Sequence, residues 1–203
     1  MELSRRSPLG SRVLTIALVG SVALVGAACG SSTSSATSTS TSAAATSGSP
    51  TSLVLSPAYA KSVGFPKTAV AAKTSSKTNE ANCSQSAEAA YEDAAGQTGL
   101  VSETLVCNSV AAATAALDGV KKQVTPYKAL AAPAALGPTA FVTATQAPQY
   151  TVIWRNRNRV GVTAIDVGVG ASSSTTTTKP PVLTAAQGAT LTAAAVAQNA
   201  LYR

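Results

Sequence analysis

Along the chain the spacing of apolar positions changes several times, and each change marks an element. Residues 13–28 (VLTIALVGSVALVGAA) are apolar and uncharged. Residues 30–52 are almost entirely Ser, Thr, Ala and Gly. Such a stretch buries too little surface to offset ordering entropy, so it is expected to stay disordered. Bulky apolar residues begin at Leu53. Ser56, Pro57 and Gly64 predict a short helix, with Ser56 as cap, Pro57 in the first turn and Gly64 at the end. Residues 68–72 suggest a strand. Residues 83–94 and 100–107 predict a hairpin turning through Ala95, Gly96, Gln97, Thr98 and Gly99. Asn108 or Ser109 then caps a helix to about Val124, with Val110, Ala113, Leu117, Val120 and Val124 on one face and Pro126 beyond its end. Residues 127–138 read as a loop. Residues 140–145, 149–155 and 159–167 form a meander, the last with period-two alternation, and Asn156, Arg157 and Asn158 turn its final pair. A polar loop covers residues 171–182. Thr184 and Gln187 have capping-box spacing. They open a helix to about Leu201, with Leu191, Ala194, Ala195, Gln198 and Leu201 on a mostly small face. Trp154, the only tryptophan, is expected to cover the core. The sum predicts an α+β fold: a mainly antiparallel sheet of about five strands, with two longer helices packed on one face.

The first 28 residues are set apart by charge as well as hydropathy. Arg5, Arg6 and Arg12 precede the apolar run against Glu2 alone. That run, of about 16 residues, falls short of the roughly 20 that span a bilayer comfortably. With small residues at 26–28, it predicts a cleavable signal peptide, the alternative being a retained signal anchor. Residues 4–9 (SRRSPL) resemble a twin-arginine export signal, with ordinary secretion as the other route. Leu24, Val25, Gly26, Ala27, Ala28, Cys29 and Gly30 resemble the bacterial lipobox. The resemblance implies that the Cys29 thiol receives a diacylglyceryl group and that Cys29 becomes the mature N-terminus. Two acyl chains, at about 0.8 kcal/mol per buried methylene, anchor stably where one is marginal. Ordinary signal peptidase would instead leave Cys29 unlipidated. The expected organisation is a signal peptide at 1–28, a lipidated Cys29 with its tether at 29–52, and a domain at 53–203. Its expected place is the outer face of the bacterial cytoplasmic membrane.

Two of the three cysteines remain, Cys83 and Cys107. Thiols outside the cytoplasm tend to oxidise, and the even remainder predicts one bridge. A hairpin centred near residue 95 places the two opposite each other, which strengthens the pairing. Metal ligation would need further ligands, and the chain has no histidine.

The same lack removes the commonest general base and any Ser-His-Asp or Cys-His arrangement. No serine stands in a nucleophile elbow or a Ser-x-x-Lys setting, and no glycine loop is built to cradle phosphate. Glu88 and Glu92 would share a strand face about 13 to 14 Å apart, beyond the roughly 5 to 9.5 Å of a carboxylate dyad. They are expected to form a solvated face. No enzyme activity, metal or cofactor is expected. The formal charge of +7 falls to an excess of about five once the signal is removed. That excess is too diffuse for nucleic acid and suits weak attraction to an anionic membrane or wall polymer. Arg155, Arg157 and Arg159 alternate at a hairpin tip. If the strands run through the tip, all three project to one side as a candidate anion contact; the other reading is a solubilising turn that discourages edge pairing.

Residues 99–107 (GLVSETLVC), then Ala135, Leu136 and Gly137, then residues 150–155 (YTVIWR), and a closing alanine-rich helix with Ala197, Gln198 and Asn199 resemble secreted actinobacterial lipoproteins of uncharacterised role. The plan also resembles, more loosely, the extracellular sensor domains of mycobacterial serine/threonine kinases. The resemblance covers about 120 residues and implies a ligand- or partner-binding role. The expected function is a non-catalytic binding or sensing module with a small apolar or anionic ligand. The alternative is a structural protein contacting wall polymer or another envelope protein.

Overall fold

The fold is that of a computed structural model, which describes residues 49–76, 78, 80, 82–144, 149–168 and 182–203. The signal segment, Cys29, most of the tether and residues 171–181 of the second polar loop lie outside the described residues. The chain enters through a 3-10 helix, Pro50–Leu53, and a short helix α1, Pro57–Ser62. The strands β1 (Lys67–Ser75), β2 (Cys83–Glu92) and β3 (Thr98–Cys107) follow, then α2 (Val110–Gln123). A 3-10 turn at Ala134–Leu136 leads to β4 (Phe141–Ala144), β5 (Gln149–Asn156) and β6 (Arg159–Val167), and α3 (Ala185–Ala200) closes the chain.

The strands make one six-stranded sheet in the order β1-β2-β3-β6-β5-β4, with every pairing antiparallel. Two meanders, β1–β3 and β4–β6, therefore meet along β3 and β6 in the centre. After β3 the chain crosses by way of α2 to the far edge, where Pro126 bridges Thr143 of β4, and works back inward.

This route decides what each face buries. Side chains alternate between faces along a strand. Tyr91, Leu100, Val152, Trp154 and Ile165 belong to a cluster with Leu191, Ala194 and Ala195 of α3 and with Leu53, Val54 and Leu55 of the entering arm. Ile153 and Val160, of opposite parity, cluster with Ala113, Ala116, Leu117 and Val120 of α2. The two long helices thus cover opposite faces, which corrects the expectation that both pack on one. The sheet also has six strands, not about five, because the segment suggested at 68–72 is a full edge strand, Lys67–Ser75. Cover on both sides explains why β5 is buried almost throughout, as a doubly covered strand should be.

Local signals set the element ends. Ser56 Oγ accepts from the Tyr59 amide, and Ser109 Oγ from the Ala112 amide. Thr184 and Gln187 exchange both capping-box bonds. Cys83 and Cys107 face each other across β2 and β3 and are disulfide-bonded. The bridge closes a loop of about 25 residues, worth on the order of 3 kcal/mol in the chain-entropy treatment. Order begins before Leu53, since the Ser52 amide and hydroxyl both donate to the Ser49 carbonyl. At the other end Leu201 leaves the expected face of α3 and is 41% exposed. On α2, Val110 is likewise exposed, and Ala116 takes its place in the buried stripe.

Candidate functional site

The arginines of the hairpin tip do not gather. A two-residue turn, Arg157-Asn158, joins the strands, so Arg155 pairs with Val160 and Asn156 with Arg159. In that register an odd-numbered residue faces an even-numbered one, and Arg155 and Arg159 fall on opposite faces. Arg157 sits exposed in the turn at φ 54°, and the Arg155 Nη1 donates to its carbonyl. Arg159 is buried, at 7% exposure. Its Nη1 donates to the Tyr202 carbonyl at 2.9 Å, and its guanidinium lies 5.8 Å from the Tyr202 ring centre. The expected three-arginine contact is therefore divided between two faces and the turn.

Beneath α3 the same face carries a polar network. The Tyr202 hydroxyl bonds to Thr104 Oγ1 and accepts from Gln198 Nε2 at 3.0 Å. Gln198 Nε2 also donates to the Glu103 carbonyl at 2.8 Å, and Gln198 Oε1 accepts from Thr163 Oγ1 at 2.7 Å. Burial pushes the Tyr202 phenol well above its ordinary range, outweighing the bonds to Thr104 and Gln198 and the Arg159 charge. It stays neutral. These groups satisfy one another and leave little for a substrate, so the network reads as a clamp holding the last turn of α3 to the sheet.

The carboxylates lie on the other face. Glu103 is paired with Glu88 across β2 and β3, and Glu88 with Lys73 across β1 and β2. Lys73 Nζ lies 3.5 Å from Glu88 Oε2. Glu88 is partly buried and ion-paired, not simply a solvated face. Burial, assisted by the Glu88 charge, pushes the Glu103 carboxyl up to about 7. Asp166, on the same face, is also raised by burial, partly offset by a hydrogen bond from Gln149. The register places Asp166 opposite Gly99, four residues along β3 from Glu103. At about 3.4 Å per residue that separation is about 14 Å, too wide for an acid–base pair.

Glu103 carries a pH prediction. Its folded value of about 7 stands above the ordinary 4.5. The folded chain therefore keeps a proton that the unfolded chain has lost. The resulting stability is fully present below about 4.5 and is lost as pH rises through about 7. At 1.36 kcal/mol per unit this is up to about 3 kcal/mol. Urea midpoints of the Glu103→Gln variant are expected to exceed those of the parent at pH 8 and to approach them at pH 4.5. A constant difference across that range would remove the assignment.

An open cleft lies elsewhere, where the entering arm meets the sheet and α3. Its volume is about 280 Å³, and its lining includes Leu55, Pro57, Tyr59, Ala72, Ala197 and Leu201. Thr51 and Ser52, at the root of the arm, stand at its side. The arm is fixed by its backbone: the Leu55 amide donates to Ser102 Oγ at 3.0 Å, and its carbonyl accepts from the Tyr91 hydroxyl at 2.5 Å. The lining is mainly aliphatic and aromatic, with a few hydroxyls and no carboxylate. Partial burial raises the Tyr59 phenol, keeping it a neutral donor at the wall. Concave, mainly apolar sites with a few polar groups are where proteins hold small ligands. Nothing in the sequence pattern signalled the cleft, because its walls come from segments more than a hundred residues apart. Among the described residues no cluster of three or more metal-ligating side chains occurs, and no helix is long and apolar enough to cross a membrane. No family model, curated protein or solved structure matches the chain.

Proposed function

We propose that this chain is a bacterial envelope lipoprotein, held to the outer face of the cytoplasmic membrane through acylated Cys29, whose domain is a non-catalytic ligand-binding or sensing module. The observation behind this reading is the apolar cleft of about 280 Å³ at the root of the tether, walled by Leu55, Tyr59, Ala72 and Leu201. The dispersed carboxylates and a chain without histidine argue in the same direction, since among the described residues no acid–base pair or activated nucleophile is assembled. Native mass spectrometry of the full chain extracted from envelopes tests it. A bound small molecule is expected in the parent and is expected to disappear in Ala72→Trp, which plugs the cleft from an exposed strand. Retention of the same adduct by Ala72→Trp would rule the cleft out. Intact mass of the same preparation reports the acyl group on Cys29.

A second reading is a structural protein that contacts wall polymer or another envelope protein. The exposed nine-residue edge strand β1 favours it, since an open edge can accept a strand from a partner. Its lysines and two register irregularities oppose indiscriminate pairing.

A further inference from the structure

We infer that the cleft takes the acyl chain of an anionic amphiphile drawn from the membrane surface. This deepens the ligand-binding reading and rests on it.

Three observations converge on that chemistry. The first is size and lining. At about 30 Å³ for each water-sized group, a volume of about 280 Å³ has room for about nine groups, enough for a short run of methylenes. The aliphatic walls at Leu55, Pro57, Ala72 and Ala197 offer such a run contact along its length, and Tyr59 and Ser56 supply hydroxyls near it. The second is charge. No carboxylate lines the cleft. Lys61 and Arg203, each two residues beyond a lining residue (Tyr59 and Leu201), are exposed, and neither makes a salt bridge among the described residues. With no carboxylate side chain in the lining and a formal charge of +7 on the chain, a negative headgroup is favoured over a positive one. The third is position. The cleft opens beside Thr51 and Ser52, about 20 residues after Cys29. Such a length of chain spans at most about 70 Å however it is arranged. A domain held by acylated Cys29 would stay within reach of the lipid surface, with the root of its tether beside the cleft.

The test uses the exported full chain with Cys29→Ser, which removes the anchor from the measurement, and titrates it calorimetrically with hexanoate, octanoate and decanoate. Affinity should tighten roughly fourfold per added methylene, and decyltrimethylammonium should bind at least tenfold more weakly than decanoate. Ala72→Trp and Leu201→Asp should each weaken decanoate binding at least tenfold while leaving the urea midpoint in place. Indifference to chain length, or equal binding of the cationic analogue, overturns the inference. So does a concentration-dependent dimer that Ala72→Trp abolishes, which would give the cleft to a second copy of the chain. A non-lipid adduct on the envelope-derived protein, with no decanoate binding, would overturn this inference and leave the ligand-binding reading standing. An unacylated Cys29 in the envelope-derived protein would overturn the membrane surface as the source of the ligand.

Discussion

Gly161→Ala is expected to cost on the order of 3 kcal/mol of folding stability, enough to lower the thermal midpoint by about 10 °C. Gly161 lies opposite Trp154 across β5 and β6, and the indole lies directly over it. A Cβ at position 161 would fall 2.3 Å from Trp154 Cζ2 and 2.4 Å from Cε2. The indole has nowhere to retreat. It is fully buried, stacked on Tyr202 at 6.1 Å between ring centres, and its Nε1 donates to Asn199 Oδ1 at 3.0 Å. Displacing it would break that bond and open the contact with Tyr202, so the clash adds to a lost interaction. A double-mutant cycle with Trp154→Phe separates this account from a general intolerance of change in β6. The smaller ring should recover more than 1 kcal/mol of the loss. Additive costs, or a Gly161→Ala variant within 0.5 kcal/mol of the parent, would show that the glycine is not there to seat the indole.

Much of the local structure was legible because local chemistry decides it. Ser109 and the Thr184–Gln187 pair announce helix starts by side-chain bonds spanning three residues. The strand alternation in residues 83–107, with a glycine-rich turn between, places Cys83 against Cys107 before any tertiary contact is considered. The relation between distant elements was less visible. An apolar stripe shows that α2 and α3 each bury a face, but not which side of the sheet receives it. A clue was present in Tyr150, Thr151, Val152, Ile153 and Trp154, where buried positions run on without alternation, as they must when a strand is covered on both sides. The arginines misled for a related reason. Residues 155, 157 and 159 share parity along a continuous strand, but the two-residue turn reverses the face on which Arg159 emerges. Nothing in the spacing of the sequence singled out Glu103. Its raised pKa comes from β2 and β6 closing over both its flanks, with Glu88 directly opposite.

The clamp and the cleft are connected through one short piece of chain. Leu201 lines the cleft, and the next residue, Tyr202, is locked into the sheet face. The wall formed by the end of α3 therefore stays in place only while Tyr202 is seated. Because the arm on the other side is held by Ser102 and Tyr91, both walls are anchored to β2 and β3. A cleft so framed is largely preformed, and a ligand entering it would pay little in ordering.

That arrangement makes Tyr202 the second position of large expected effect. Tyr202→Ala should cost about 4 kcal/mol, the range for deleting a buried aromatic ring, with an added contribution from Thr104 and Gln198, whose bonds to the hydroxyl are lost. Tyr202→Phe keeps the ring against Trp154 and under the Arg159 guanidinium and removes the hydroxyl alone. Its cost should be about 1 to 3 kcal/mol, the penalty of leaving a buried polar group without its partner. The difference between the two substitutions isolates the ring from the network, and Thr104→Val in the Tyr202→Phe background should recover part of the loss by removing the stranded hydroxyl. Urea unfolding monitored by tryptophan fluorescence suits the measurement, because Trp154 stacks directly on the altered side chain. Equal costs for Phe and Ala would place the whole effect in the hydroxyl network. A cost below 1 kcal/mol for Ala would mean that the last turn of α3 is not what holds this end of the molecule closed.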